Sequence, residues 1–162
     1  MAKKMTGELK FQLEIAKMLY NGELVTCLQV TGTPETLPTG SFSAQMVGDG
    51  KVFMKTCSCR WIVQMPDTDN PYDIFQHQDF VLGAGYKQAK FDGELNVGTD
   101  KKKKICYKLK DKSGNYVWVR DKYLEYFEDC EFWIKDEYSP VIVMSKVVPT
   151  VEGMVFPFVA KR

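Results

Sequence analysis

After one helix-length segment at its start, this chain breaks into short apolar or alternating runs punctuated by turn residues. The runs cover 24–30, 41–47, 52–65, 80–85, 87–97, 104–110 and 116–120, and they read as strands. No segment between them is long enough for repeated crossover helices. The natural connections are therefore antiparallel hairpins. Turn residues mark the joints: Thr33-Pro34, Leu37-Pro38-Thr39-Gly40, a tight hairpin at Gly48-Asp49-Gly50, and a further turn candidate at Asp92-Gly93.

The first segment reads as a helix. Thr6 can cap it, Leu9, Leu13, Ala16 and Tyr20 share one face with Phe11, Ile15 and Leu19 beside them, and Asn21-Gly22 is a stop. Residues 8–15 also alternate with a period of two, and Ala16 to Leu19 favour the helix. Beyond Arg120, Asp121 can cap a short second helix over 121–128, and 130–134 returns to an extended pattern. A closing hairpin is expected with arms 141–145 and 154–159, Pro149 and Glu152-Gly153 in its connection, and Pro157 marking a sheet edge.

The expected fold class is α+β: an N-terminal helix packed on a strongly bent, mainly antiparallel sheet, barrel-like if it closes, with a short helix near 121–128. At 162 residues, 44% hydrophobic, one compact domain spanning 1–162 can bury its core without staples. Five cysteines, an odd number, follow a charged start with no apolar signal-peptide core. No run reaches bilayer-spanning length. The expectation is a cytoplasmic protein with reduced thiols and no membrane partner.

The formal charge of +1 conceals two opposed segments. Residues 101–123 carry nine Lys or Arg against Asp111 and Asp121, whereas 125–137 set Glu125, Glu128, Asp129, Glu131, Asp136 and Glu137 against Lys135. In the basic segment the lysine run Lys101, Lys102, Lys103 and Lys104 leads into an aromatic hairpin. A five-residue loop over 111–115 would place Lys110 opposite Tyr116, Leu109 opposite Val117, Lys108 opposite Trp118 and Tyr107 opposite Val119. One face then carries Lys108, Lys110, Cys106, Tyr116, Trp118 and Arg120, a cationic surface with two flat rings that suits single-stranded nucleic acid or a nucleoprotein. A four-residue loop would turn the rings inward, because a one-residue slip flips every side chain. The lysine run by itself also fits a solvated loop that discourages edge pairing.

The acidic segment interleaves its carboxylates with Tyr126, Phe127, Phe132, Trp133 and Tyr138. Glu125, Glu128, Asp129, Glu131, Trp133, Asp136 and Glu137 would serve an alternative role, the surface of an inhibitor or accessory factor of viral or mobile-element type that occupies a partner's basic cleft. Enzymatic readings are narrower. His77 is the single histidine, Gly83-Ala84-Gly85 lacks a dinucleotide fingerprint, and no P-loop occurs. Cys57 and Cys59 lack zinc spacing and a second pair, and Asp67, Asp69, Asn70 and Asp73 lack the rest of a calcium loop. The expectation is a non-enzymatic binding protein with no cofactor and no metal.

Overall fold

The computed structural model describes residues 6–23, 25–37, 40–55, 75–147 and 150–158. Two helices and ten strands are assigned in it: α1 (Gly7–Tyr20), β1 (Val25–Gly32), β2 (Phe42–Gly48), β3 (Val52–Lys55), β4 (Phe75–Val81), β5 (Lys87–Asn96), β6 (Ile105–Asp111), β7 (Tyr116–Arg120), α2 (Asp121–Leu124), β8 (Cys130–Ile134), β9 (Val141–Ser145) and β10 (Val151–Val155). All ten strands belong to one sheet in the order β4-β1-β2-β3-β10-β9-β8-β5-β6-β7. The α+β class holds. The sheet is open, with β4 and β7 as its edges, and it is antiparallel except where β4 runs parallel to β1.

Local chemistry explains α1. The Thr6 hydroxyl accepts from the Leu9 N–H at 3.2 Å, and the Glu128 carboxylate accepts from the Gly7 N–H at 3.0 Å, so two otherwise orphaned donors are satisfied. At the other end the Asn21 N–H returns to the Lys17 carbonyl, and Gly22 takes a positive φ of 71°. The buried stripe differs from the expected one. Phe11, Ile15 and Leu19 face the core with Gln12 and Ala16, while Leu13 and Tyr20 are exposed. Both sets obey helical spacing, and the sheet selects between them. Gly7 is needed for contact: a Cβ there would lie 2.5 Å from the Glu125 carbonyl oxygen.

Two hydrophobic clusters occupy the two faces of the sheet. Consecutive residues in its middle alternate between them: Val52 and Met54 against Phe53, Val141 and Val143 against Ile142 and Met144, Val155 against Met154. The first cluster holds α1, Tyr123 and Phe127. The second holds Leu28, Val30, Leu37, Leu82 and Tyr86, whose hydroxyl donates to the Pro140 carbonyl at 2.8 Å.

Several boundaries differ from expectation. Asp92-Gly93 is not a turn: it lies inside β5, where the pairing with β6 shifts between Phe91 and Glu94 as a β-bulge. The strand expected at 80–85 begins at Phe75 and ends at Val81. The second helix ends at Leu124 rather than near 128. Glu152-Gly153 sits within β10, not in the hairpin connection, because Gly153 allows close approach; a Cβ there would lie 2.4 Å from the Phe127 ring and 2.5 Å from the Phe53 carbonyl oxygen. Pro157 follows the strand, and β10 is interior, between β3 and β9, so that proline marks no edge of its own strand. The part of the 52–65 run beyond Lys55 lies outside the described residues. Among the described residues no helix is long and apolar enough to cross a membrane.

Candidate nucleic-acid interface

The loop between β6 and β7 is organised by one buried side chain. The Asp111 carboxylate accepts from the Ser113 N–H at 2.9 Å, the Asn115 N–H at 3.0 Å and the Asn115 side-chain amide at 3.1 Å. The Asp111 N–H closes the hairpin on the Asn115 carbonyl, with Gly114 at a φ of 93°. This is the five-residue loop, and the register follows: Lys110 opposite Tyr116, Leu109 opposite Val117, Lys108 opposite Trp118, Tyr107 opposite Val119, Cys106 opposite Arg120.

Leu109, Val117 and Val119 are buried in the first cluster. Lys108, Lys110, Tyr116, Trp118 and Arg120 therefore share the opposite face. Their exposure is graded. Lys110 is exposed, Lys108, Tyr116, Trp118 and Arg120 are half-buried, and Cys106 is fully buried. The Lys108 ammonium lies 4.9 Å from the centroid of the Tyr116 ring and 3.7 Å from the Asp92 carboxylate, which the β5 bulge brings beside it. Burial pushes the Cys106 thiol up, the charge of Arg120 pulls it down, and that of Asp121 raises it. The Arg120 Nε is buried without a hydrogen-bond partner among the described residues. Along the outer side of β7 the Phe158 N–H donates to the Trp118 carbonyl at 2.7 Å.

Two further facts lie beyond what the hairpin alone implies. Lys90 of β5 stands directly opposite Lys110 and so belongs to the same face. Its sequence signal is the alternation Gln88-Lys90-Asp92, which becomes meaningful only once β5 is known to pair with β6. The face is also continuous with the second cluster: Trp133 lies opposite both Ile142 and Gln88, and Gln88 is two residues from Lys90. Moving across the sheet from β9 to β7, the same face changes from apolar core to a cationic, aromatic surface.

Lys101, Lys102, Lys103 and Lys104 are exposed on the β5–β6 loop. Asn96 anchors that loop, its side-chain oxygen accepting from the Gly98 and Lys104 N–H groups at 3.0 Å each. The run stands at the start of β6, while Lys110 stands near its end, roughly 20 Å away at about 3.4 Å per residue. The two basic groups are thus joined by one strand and separated by its length.

The acidic segment is divided between the two ends of β8. Before the strand, Glu125, Glu128 and Asp129 are exposed, with Glu128 on the α1 N-terminus and Asp129 at a φ of 52°. Glu131 and Trp133 are half-buried within it, Trp133 packing against the second cluster with its indole N–H buried and unpartnered among the described residues. After it, Asp136 accepts from the Tyr138 and Ser139 N–H groups at 2.9 and 2.7 Å beside exposed Glu137. Partial burial works against the Asp136 charge, but those hydrogen bonds and Lys135 together hold its carboxyl below the usual range. His77 takes its place in β4 opposite Cys27. Cys57, Cys59, Asp67, Asp69, Asn70 and Asp73 lie outside the described residues. No protein family, curated protein or solved structure matches this chain.

Proposed function

We propose that this protein binds single-stranded nucleic acid, free or within a nucleoprotein, without catalysing a reaction on it, through the β5–β7 face. The observation that carries this reading is the register set by Asp111, which gathers Lys108, Lys110, Tyr116, Trp118 and Arg120 on one side of the sheet, with Lys90 beside them. Ammonium and guanidinium groups there can track phosphates while rings accept unstacked bases. A twisted sheet with half-buried rings meets a splayed strand more readily than a stacked duplex. The alternative acidic surface draws less support, because Glu128 holds a helix terminus, Asp136 holds a turn and Trp133 faces the second cluster.

Fluorescence anisotropy with labelled single-stranded and duplex oligonucleotides tests the reading. The single strand should bind more tightly, and affinity should fall steeply with salt. Trp118→Ala should weaken binding by roughly 5- to 150-fold if one base stacks for about 1–3 kcal/mol. Lys108→Ala should weaken it less, since Lys108 already has Asp92 as a partner at 3.7 Å. Circular dichroism checks that each variant is folded. Absence of binding by the wild type at low salt would dispose of the proposal.

A further inference from the structure

We infer that a cleft of about 220 Å³ between β5 and the β6–β7 loop is a phosphate subsite, formed by Lys90, Lys110 and Lys112. The inference rests on the nucleic-acid reading for what carries the phosphate. The subsite itself stands on charge and geometry.

Three observations converge on it. The register sets Lys90 directly opposite Lys110, and like charges at opposed positions of an antiparallel pair destabilise the pair. Both side chains are exposed, so core packing does not require lysine at either position. Nearby carboxylates do not relieve the repulsion. Asp92 and Asp111 also border the cleft, but the Asp111 oxygens are engaged by three N–H groups of its own loop, and Asp92 is paired with Lys108 at 3.7 Å. Among the described residues, no carboxylate lies within 4.0 Å of the ammonium groups of Lys90, Lys110 or Lys112.

The third observation is placement. The Asp111 network orders the loop that carries Lys112, so this lysine is presented beside the other two on a defined backbone. A phosphoryl oxyanion between these ammonium groups would replace repulsion by attraction. Lysines suit this role as point charges that accept phosphates in several orientations.

The test compares the wild-type protein with a Lys90→Gln/Lys110→Gln double variant, using sodium tripolyphosphate and single-stranded oligothymidylate as separate probes. In the absence of anion the double variant should melt at the same or a higher temperature, because the opposed charges are gone. Tripolyphosphate should raise the melting temperature of the wild type alone, with amide NMR shifts at residues 88–92 and 110–113. Oligothymidylate affinity should fall about tenfold or more in the variant, and its salt slope should drop by roughly 0.7 for the one phosphate no longer neutralised. Equal oligothymidylate affinity and salt slope in both proteins would overturn the subsite while leaving the nucleic-acid reading intact. Local tripolyphosphate shifts in a wild type that ignores oligothymidylate would support the subsite and overturn the nucleic-acid reading. Identical responses of both proteins to tripolyphosphate would also overturn the subsite.

Discussion

The Asp111 carboxylate holds three N–H groups of its own loop while its residue is only 6% exposed. Replacing it by alanine leaves those donors to water and frees the loop, at a cost of about 1–3 kcal/mol, since hydrogen bonds to a charged acceptor are stronger than neutral ones. Asp111→Ala should therefore lower the melting temperature and weaken oligonucleotide binding, and calorimetry with anisotropy measures both. A second prediction concerns Cys130 and Tyr126. Burial, then the charges of Glu152 and Asp129, push the Cys130 thiol up to about 11 against the opposing pull of Lys146. Burial, then Glu14, Asp49, Tyr123 and Glu125, push Tyr126 up to about 12. Folding favours the neutral form of each. Their contribution is complete below their unfolded pKa values and is lost as pH rises towards the folded ones, so stability should decline from roughly pH 9 upward. Melting temperatures across that range check this, and Cys130→Ala should show a shallower decline.

At the scale of the element, the β6–β7 hairpin is decided by loop length. Deleting Ser113 removes one residue from the five-residue loop and with it the hydrogen bond that Asp111 accepts from position 113. Restoring a five-residue loop in the shortened chain requires a one-residue slip, which would set Leu109 against Tyr116 and drive rings towards the first cluster. The prediction is loss of oligonucleotide binding with a change in tryptophan fluorescence; retention of both properties would mean that strand packing, not the loop, holds the register. Much of this hairpin was legible in the sequence, because alternation and a turn with Asp, Ser, Gly and Asn are local signals. The same locality explains the correct bounds of β7, β8 and β9. It also explains the error at Asp92-Gly93, where a local turn signal serves a bulge inside a longer strand. For α1, helical spacing allowed two stripes, and the sheet beneath chose Phe11, Ile15 and Leu19.

Across the whole molecule, β10 is where distant parts of the chain meet. It lies between β3 and β9, and Gly153 brings its backbone against the Phe53 carbonyl and the Phe127 ring. A methyl group there must push the ring or the strand aside. Gly153→Ala should destabilise the protein by about 1–3 kcal/mol, the usual cost of overpacking a filled core, read by denaturant unfolding. The midpoint should move while β5–β7 keeps its affinity for oligonucleotide in the folded state. Unchanged stability would show that Phe127 yields without penalty.

The sequence by itself determined the α+β class, the α1 caps at Thr6 and Asn21 and the turn chemistry of the basic-aromatic hairpin, whose register it left open between two loop lengths until the structure fixed it. Each depends on residues a few positions apart, where propensity, capping and alternation act directly. Tertiary structure alone decided the neighbours β3–β10, β5–β8 and parallel β1–β4, the use of Glu128 on α1, and the arrival of Lys90 beside Lys110. Those pairings join residues far apart in the chain, and several arrangements satisfy the same local patterns. The choice among them is made by burying two apolar faces at once and by satisfying the polar groups that burial would otherwise strand.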